Sequence, residues 1–219
     1  ILQSCDIYFY KTIQYYELDR LAQYFRLFGF GKVTGIDIGK EYKGTIPNTA
    51  YMNKRYGRFG WSKGSLLNFC IGQGEILVTP IQVFNYTNLL ATKGNANSPH
   101  LVTSIKQELK SEIPLAPQIW DRIIFDMGQV VSHAKGTGKN ADPAIQGVEV
   151  YGKTGTAENP HGEDHAWFIG WAQYEEQKFS IVVLLENSGS GGAVAAPVAK
   201  NVFDKIILGI NNSKQISLK

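Results

Sequence analysis

The chain has 219 residues, 43% of them hydrophobic and 19% charged, an ordinary globular composition with enough apolar mass for one large core or two small ones. A net charge of +3, carried by scattered basic residues, is too weak to argue for nucleic acid. Cys5 and Cys70 stand far apart with no C-x-x-C pair, which excludes a disulfide framework and a zinc ribbon, and no apolar run approaches the about 18 residues of a membrane span.

In chain order, residues 2–16 are dense in aromatics, with Asp6 placed to cap a helix. Tyr8, Phe9, Tyr10, Tyr15 and Tyr16 read as core and cleft wall. No basic groove pattern accompanies them, so they are not read as a platform for stacked bases. A second helix fits residues 17–28, where Leu18, Leu21, Ala22 and Phe25 recur at three- and four-residue spacing before Gly29 and Gly31. Residues 34–65, rich in Gly, Lys and Tyr, read as a long loop with short pieces of structure. Thr79-Pro80 is a helix start, a hydroxyl cap followed by proline in the first turn. Ile81, Phe84 and Ala91 continue one face of that helix, and Gly94 stops it. A further helix fits residues 117–133, with Ile119, Ile123, Met127, Val130 and Val131 inward, broken by Gly136-Thr137-Gly138.

The last third changes character. Residues 148–153, 165–173 and 179–186 read as strands. A Gly-rich stretch at 188–192 precedes a closing helix carrying Val194, Val198, Val202, Phe203, Ile206 and Ile207, and residues 211–219 form a polar tail expected to fray. Helices, then hairpin-linked strands, then a helix predict an α/β or α+β fold with an antiparallel sheet.

The strongest local signal is Lys153-Thr154-Gly155-Thr156-Ala157, at the end of a strand and before a polar loop. Lys153 puts a cation at the mouth of a site. Thr154 and Thr156 supply hydroxyls that can hold a carboxylate, and Gly155 lets a substrate lie against the strand edge. The Thr156 N–H is placed to serve a developing oxyanion. A K-T-G string is short, and a turn with a stray lysine is the plain alternative. Ser4-Cys5-Asp6 lies about 150 residues earlier. By itself it is a weak signal, for which helix capping by Ser4 or Asp6 is the default explanation. In this order and at this distance, however, S-x-[ND] and K-T-G are the second and third motifs of the penicillin-recognising serine enzymes.

Longer segments agree. Asp19-Arg20-Leu21-Ala22, Phe28-Gly29-Phe30-Gly31 with Thr34-Gly35-Ile36-Asp37-Ile38, Ile71-Gly72-Gln73-Gly74 with Val78-Thr79-Pro80-Ile81-Gln82, and Trp167-Phe168-Ile169-Gly170-Trp171-Ala172 together resemble the C-terminal part of a class B penicillin-binding protein of the elongation type, penicillin-binding protein 2. The resemblance runs from Leu2 to about Leu208. It implies the β-lactamase/transpeptidase fold, an antiparallel sheet flanked by helices, as a partial transpeptidase domain over residues 1–210. It implies a d,d-transpeptidase that acts on peptidoglycan stem peptides and is blocked by β-lactams. It also implies work at the extracytoplasmic face of the bacterial inner membrane, with a membrane-embedded glycosyltransferase and the elongation machinery as partners. Mapped onto this chain, Ser4 relays a proton near the leaving amine. Asp6, where most relatives have Asn, binds the donor amide. Lys153 supports the electrostatics, Thr154 and Thr156 bind the terminal carboxylate, Gly155 lets the substrate lie against the strand, and the Thr156 N–H is half of the oxyanion hole. No cofactor is required, although the resemblance offers Cys5 as a zinc ligand beside Asp and His ligands further upstream; the plain reading of Cys5 is a small buried thiol. Cys70 reads as a core residue.

The family's first motif, S-x-x-K, is absent before Ser4. The chain opens on Ile1 with what reads as domain interior, so the gap is read as truncation, with the nucleophile and any anchor upstream. Ser132-His133-Ala134-Lys135 has the right letters but falls after the second motif, at a helix C-terminus whose negative dipole end opposes an oxyanion. His161-Gly162-Glu163-Asp164-His165 resembles a metal motif, but Pro160 and Gly162 argue for a loop lining the site. A serine β-lactamase, which needs a deacylating base, and a penicillin-sensing receptor domain are the alternatives; the Gly72-Gln73-Gly74 and Val78-Thr79-Pro80-Ile81-Gln82 segments favour the transpeptidase. A polypeptide of residues 1–219 alone is therefore expected to resist acylation by a fluorescent penicillin, as read by gel fluorescence. Stoichiometric labelling at Ser132 would overturn the assignment.

Overall fold

A computed structural model describes residues 1–102 and 109–217. They form two compact units, Cys5–Leu115 and a second made of Ile1–Ser4 with Ala116–Lys219.

The first unit opens with α1 (Asp6–Ile13), whose N-cap is Cys5 rather than Asp6; Asp6 is the first helical residue, where a carboxylate favours the positive end of the helix. Tyr8 and Tyr15 are well exposed, while Phe9 and Tyr16 line an apolar cleft with Ile13, Leu21, Tyr24 and Cys70. The expectation of core and cleft wall thus holds for Phe9 and Tyr16 and is corrected for Tyr8 and Tyr15. A short helix offers water every third or fourth side chain, whatever its type. α2 (Leu18–Leu27) buries Leu18 and Ala22 as its periodicity required. The loop expected over residues 34–65 contains a full helix, α3 (Thr49–Tyr56), started by the Asn48 side chain, which accepts the Tyr51 N–H. Its polar sequence, with only Met52 buried, carries no amphipathic signal. α4 (Ser65–Phe69) buries Leu66 and Phe69, and Cys70 follows at its end, half-buried, its thiol donating to the Leu67 carbonyl.

α5 (Pro80–Ala91) starts as the sequence demands: the Thr79 hydroxyl accepts the Gln82 N–H, and Gln82 Oε1 accepts the Thr79 N–H. The inward face differs from expectation, however. Ile81 and Phe84 are only partly buried, whereas Gln82 is 2% exposed. Its amide donates to the Lys32 carbonyl at 2.6 Å and the Lys43 carbonyl at 3.0 Å. One side chain thus closes the cap and ties two loop carbonyls to the helix, which a burial rule based on apolarity cannot foresee. Asp37 pins another chain-distant segment. Its carboxylate accepts the Leu101 and Val102 N–H groups at 2.6 and 2.8 Å, and those two bonds hold its pKa below the usual value. β1 (Asn95–Asn97) pairs antiparallel with β2 (Leu109–Glu112).

The second unit is built on an antiparallel sheet. β3 (Val148–Ala157), β4 (His165–Tyr174) and β5 (Gln177–Leu185) lie in chain order among the described residues. Period-two alternation puts Val150 on the face that carries Phe168 and Ala172, and these pack with Ala196, Ala199, Phe203 and Ile207 of the closing helix α7 (Ala196–Ser217). The small residues on α7 let the helix approach the sheet closely. α6 (Pro117–Ser132) packs along β3: its Gly128 leaves room for the Tyr151 ring, and Val131 reaches the core on the opposite face. Ile119, expected inward, is 45% exposed, and Trp120 is buried in its place. Both residues are apolar, so the helical pattern alone leaves their order undetermined. Tyr151 stacks on Trp171 with centroids 5.0 Å apart and donates to Glu149; burial, helped by that carboxylate, pushes its phenol up to about 12. α7 extends to Ser217, past residue 211 where the polar tail was expected to begin, and the last two residues of that tail lie outside the described residues. No described helix is long and apolar enough to cross a membrane.

The two halves of the α5 start should separate by mutation. Thr79→Ala is expected to cost about 1 kcal/mol, the typical value of a cap. Gln82→Leu, which leaves two carbonyls and an N–H without their partner, is expected to cost about 2–4 kcal/mol. Urea denaturation of the two variants measures the difference.

Candidate active site

The K-T-G residues lie inside the β3–β4 ladder, with Lys153 opposite Ile169, Thr154 opposite Phe168, Gly155 opposite Trp167 and Thr156 opposite Ala166. The register is held by a glycine pair. Gly152 faces Gly170, and a Cβ on Gly152 would stand 2.4 Å from the Phe168 ring, while one on Gly170 would stand 2.2 Å from the Tyr151 carbonyl oxygen. Alternation puts Thr154 and Thr156 on one face, two residues apart, and Lys153 on the other.

Lys153 Nζ donates to the Ser4 hydroxyl and, at 2.7 Å, to the carbonyl of Thr154. Residues 149 positions apart in the chain are thus brought into direct contact. Ser4 is half-buried and holds a left-handed backbone, φ 49°, closed by its N–H on the Ile1 carbonyl. Ser4 therefore does not cap α1; its hydroxyl is turned to the lysine. A non-glycine residue in this region is strained, which is characteristic of functional positions.

The Gly-rich stretch after β5 forms a π-helical turn, Gly191–Ala195, that lies against the K-T-G strand. The Gly191 N–H donates to Thr156 Oγ1 at 3.4 Å, and a Cβ at Gly191 would stand 2.2 Å from the carbonyl oxygens of both Gly155 and Trp167. The Thr154 hydroxyl donates to that of Thr137 at 2.9 Å. Sequence reading had Gly191 only in a Gly-rich stretch and Thr137 only in a helix stop. The doublet Gly191-Gly192 and the paired glycines around Thr137 are the signals of close approach that could have identified them.

The other candidates resolve individually. Asp6 is exposed at the start of α1, in the unit Cys5–Leu115. Cys5 is an exposed free thiol rather than a buried one; as the N-cap it sits at a helix end that faces water. Among the described residues no three His, Cys, Asp or Glu side chains gather as a metal site. His165 opens β4, and its Nδ1 accepts the Asn187 N–H; His161 lies in the preceding exposed loop, outside any helix. Ser132 ends α6, exposed, and its hydroxyl is used on the Gly128 carbonyl four residues back.

The chain matches the penicillin binding protein transpeptidase domain over residues 1–204. It is 37% identical to the peptidoglycan D,D-transpeptidase MrdA of Haemophilus influenzae over 93% of its own length and 35% of that protein's. Among solved structures it resembles Pseudomonas aeruginosa PBP2 in complex with WCK 5153 (TM-score 0.82, 35% identity, 93% of this chain and 45% of that one). It also resembles PBP2 of Helicobacter pylori in complex with MreC (TM-score 0.80, 31% identity, 93% and 39%). The chain thus spans about a third of the curated relative and less than half of the solved chains. These likenesses establish the β-lactamase/transpeptidase fold.

Gly191→Ala is expected to force the Gly155 and Trp167 carbonyls from their places, at about 1–3 kcal/mol as for other overpacked sites. Thermal unfolding reads the loss. Gly39→Ala, at an open position without a left-handed φ, serves as the control for adding a methyl group alone.

Proposed function

Because the chain belongs to the penicillin-binding-protein transpeptidase family, we propose that it forms part of a peptidoglycan d,d-transpeptidase. The carrying observation is the hydrogen bond from Lys153 Nζ to Ser4 Oγ, which joins the second and third motifs in one constellation. The nucleophilic serine and the lysine that activates it are assigned to an S-x-x-K outside residues 1–219.

In the proposed reaction the nucleophile's oxygen bonds to the carbonyl carbon of the penultimate d-Ala, and the C–N bond to the terminal d-Ala breaks. The nucleophile's proton passes to the lysine of that S-x-x-K and on to Ser4 as the Ser4 hydroxyl hands its own proton to the departing amine, and the Lys153 ammonium beside it stabilises Ser4 while the proton is in transit. Thr154 and Thr156, on one face of β3, hold the terminal carboxylate, and the Thr156 N–H with the nucleophile's own N–H receives the oxyanion. Asp6 is assigned to the donor amide by its place in the second motif. An amine from a neighbouring stem peptide then attacks the acyl-enzyme ester, releasing the serine and forming the cross-link. β-Lactams present the same carboxylate and acyl carbon, and their leaving amine stays tethered. No cofactor enters this scheme, and zinc at Cys5 would need ligands from outside the residues described. The proposed workplace is the extracytoplasmic face of the bacterial inner membrane, with a glycosyltransferase and the elongation machinery as partners. The H. pylori relative solved with MreC supports that partner class.

The full-length gene product is expected to form a long-lived penicillin adduct on one serine, seen as a single mass increment. Lys153→Ala should slow its formation by about 100-fold or more. Rapid turnover of nitrocefin would favour the β-lactamase instead.

A further inference from the structure

The turn that follows α6 holds a threonine that no motif claims. The Gly136 N–H donates to the His133 carbonyl at 2.8 Å and the Gly138 N–H to the Val130 carbonyl at 3.0 Å, closing the chain back onto the helix end. Between them the Thr137 N–H donates to the Leu2 carbonyl at 3.4 Å. From the other side the glycine turn after β5 presses in. A Cβ at Gly192 would stand 2.5 Å from the Thr137 carbonyl oxygen, and Asn140 Nδ2 donates to the Gly192 carbonyl at 3.0 Å. Thr137 is therefore held by three chain segments, and its hydroxyl meets that of Thr154 at 2.9 Å.

We propose that Thr137 is a positioning residue for carboxylate recognition, acting through Thr154. The inference rests on the transpeptidase reading above, in which Thr154 binds the terminal carboxylate. A threonine hydroxyl has one proton and can accept at its oxygen. A carboxylate only accepts, so Thr154 must turn its proton toward the ligand, which releases Thr137's oxygen. The Thr137 hydroxyl can then rotate and donate to Thr154 Oγ1, with no heavy atom displaced. The resulting chain, Thr137 to Thr154 to carboxylate, runs in one donor direction, and each bond polarises the next. Thr137 also fixes the Thr154 rotamer in both states, because the 2.9 Å contact serves either direction. A valine at 137 matches threonine in shape but can neither donate nor accept, so its cost should be largest with ligands that carry the carboxylate, a charged and stronger acceptor than the ester carbonyl.

The test uses the full-length gene product and two probes, a penicillin and its methyl ester, with acylation followed by stopped flow. Thr137→Val is expected to lower the second-order acylation rate for the acid about tenfold while leaving the ester within about twofold, and Thr137→Ser should restore the acid rate. The acid-to-ester ratio within one variant is independent of how much of it is folded, so a destabilised Thr137→Val still reports. An unchanged ratio in Thr137→Val, or failure of Thr137→Ser to restore it, overturns the positioning role alone. Failure of the wild-type protein to be acylated by the acid overturns the transpeptidase reading, and this proposal with it.

Discussion

The second unit depends on the close approach of two backbones at Gly152 and Gly170. A side chain at either position would collide with the Phe168 ring or the Tyr151 carbonyl, so the β3–β4 ladder can close only with glycine on both strands. That closure lets Phe168 lie fully buried across the strand pair, where it joins Ala172, Ala196 and Phe203 in the core. It also sets the register, and a slip of one residue would exchange the faces of Lys153 and Thr154. The chemical identity of the site is thus written into the packing of the sheet.

Around this strand the site is assembled from segments that bring little structure of their own. Residues 1–4 contribute Ser4, the turn after α6 contributes Thr137, and the turn after β5 contributes Gly191 and Gly192. Each is fixed by backbone bonds or steric limits rather than by an apolar face: Ser4 by its turn on Ile1, Thr137 by the Leu2 carbonyl, and Gly191 by the Gly155 and Trp167 carbonyls. Loops positioned in this way by a rigid sheet are the usual bearers of binding groups. The glycine turn after β5 leaves no room for a side chain between itself and the strand.

The first unit shows the same economy with a different device. Gln82 satisfies its own helix cap and two loop carbonyls with one side chain, and Asp37 binds two successive amides more than sixty positions away. A buried polar group such as Gln82 specifies one arrangement because any other leaves it without partners, and the exposed Asp37 carboxylate adds a second tether. They organise the long segment between α2 and α5 that has no hydrophobic periodicity.

The amino-acid order by itself determined the elements with a strong period or a strong punctuation mark: α2 from its apolar spacing, α5 from Thr79-Pro80, and the three strands of the sheet from their Val, Ile, Phe and Trp content. It also determined the chemistry of the motif residues, since lysine, threonine and serine bring their functional groups wherever they are placed. Local pattern was silent on α3, whose polar residues are held by one asparagine cap, and it misjudged which of the adjacent apolar residues Ile119 and Trp120 turns inward. It treated Ser4 as a candidate cap and Thr137 as part of a helix stop. Only the tertiary structure turned the first toward Lys153 and the second toward Thr154, because those contacts join positions 149 and 17 residues apart. A hydrogen bond between distant residues depends on backbone paths that no local spacing encodes, and here those paths were decided by where glycine permits two chains to touch.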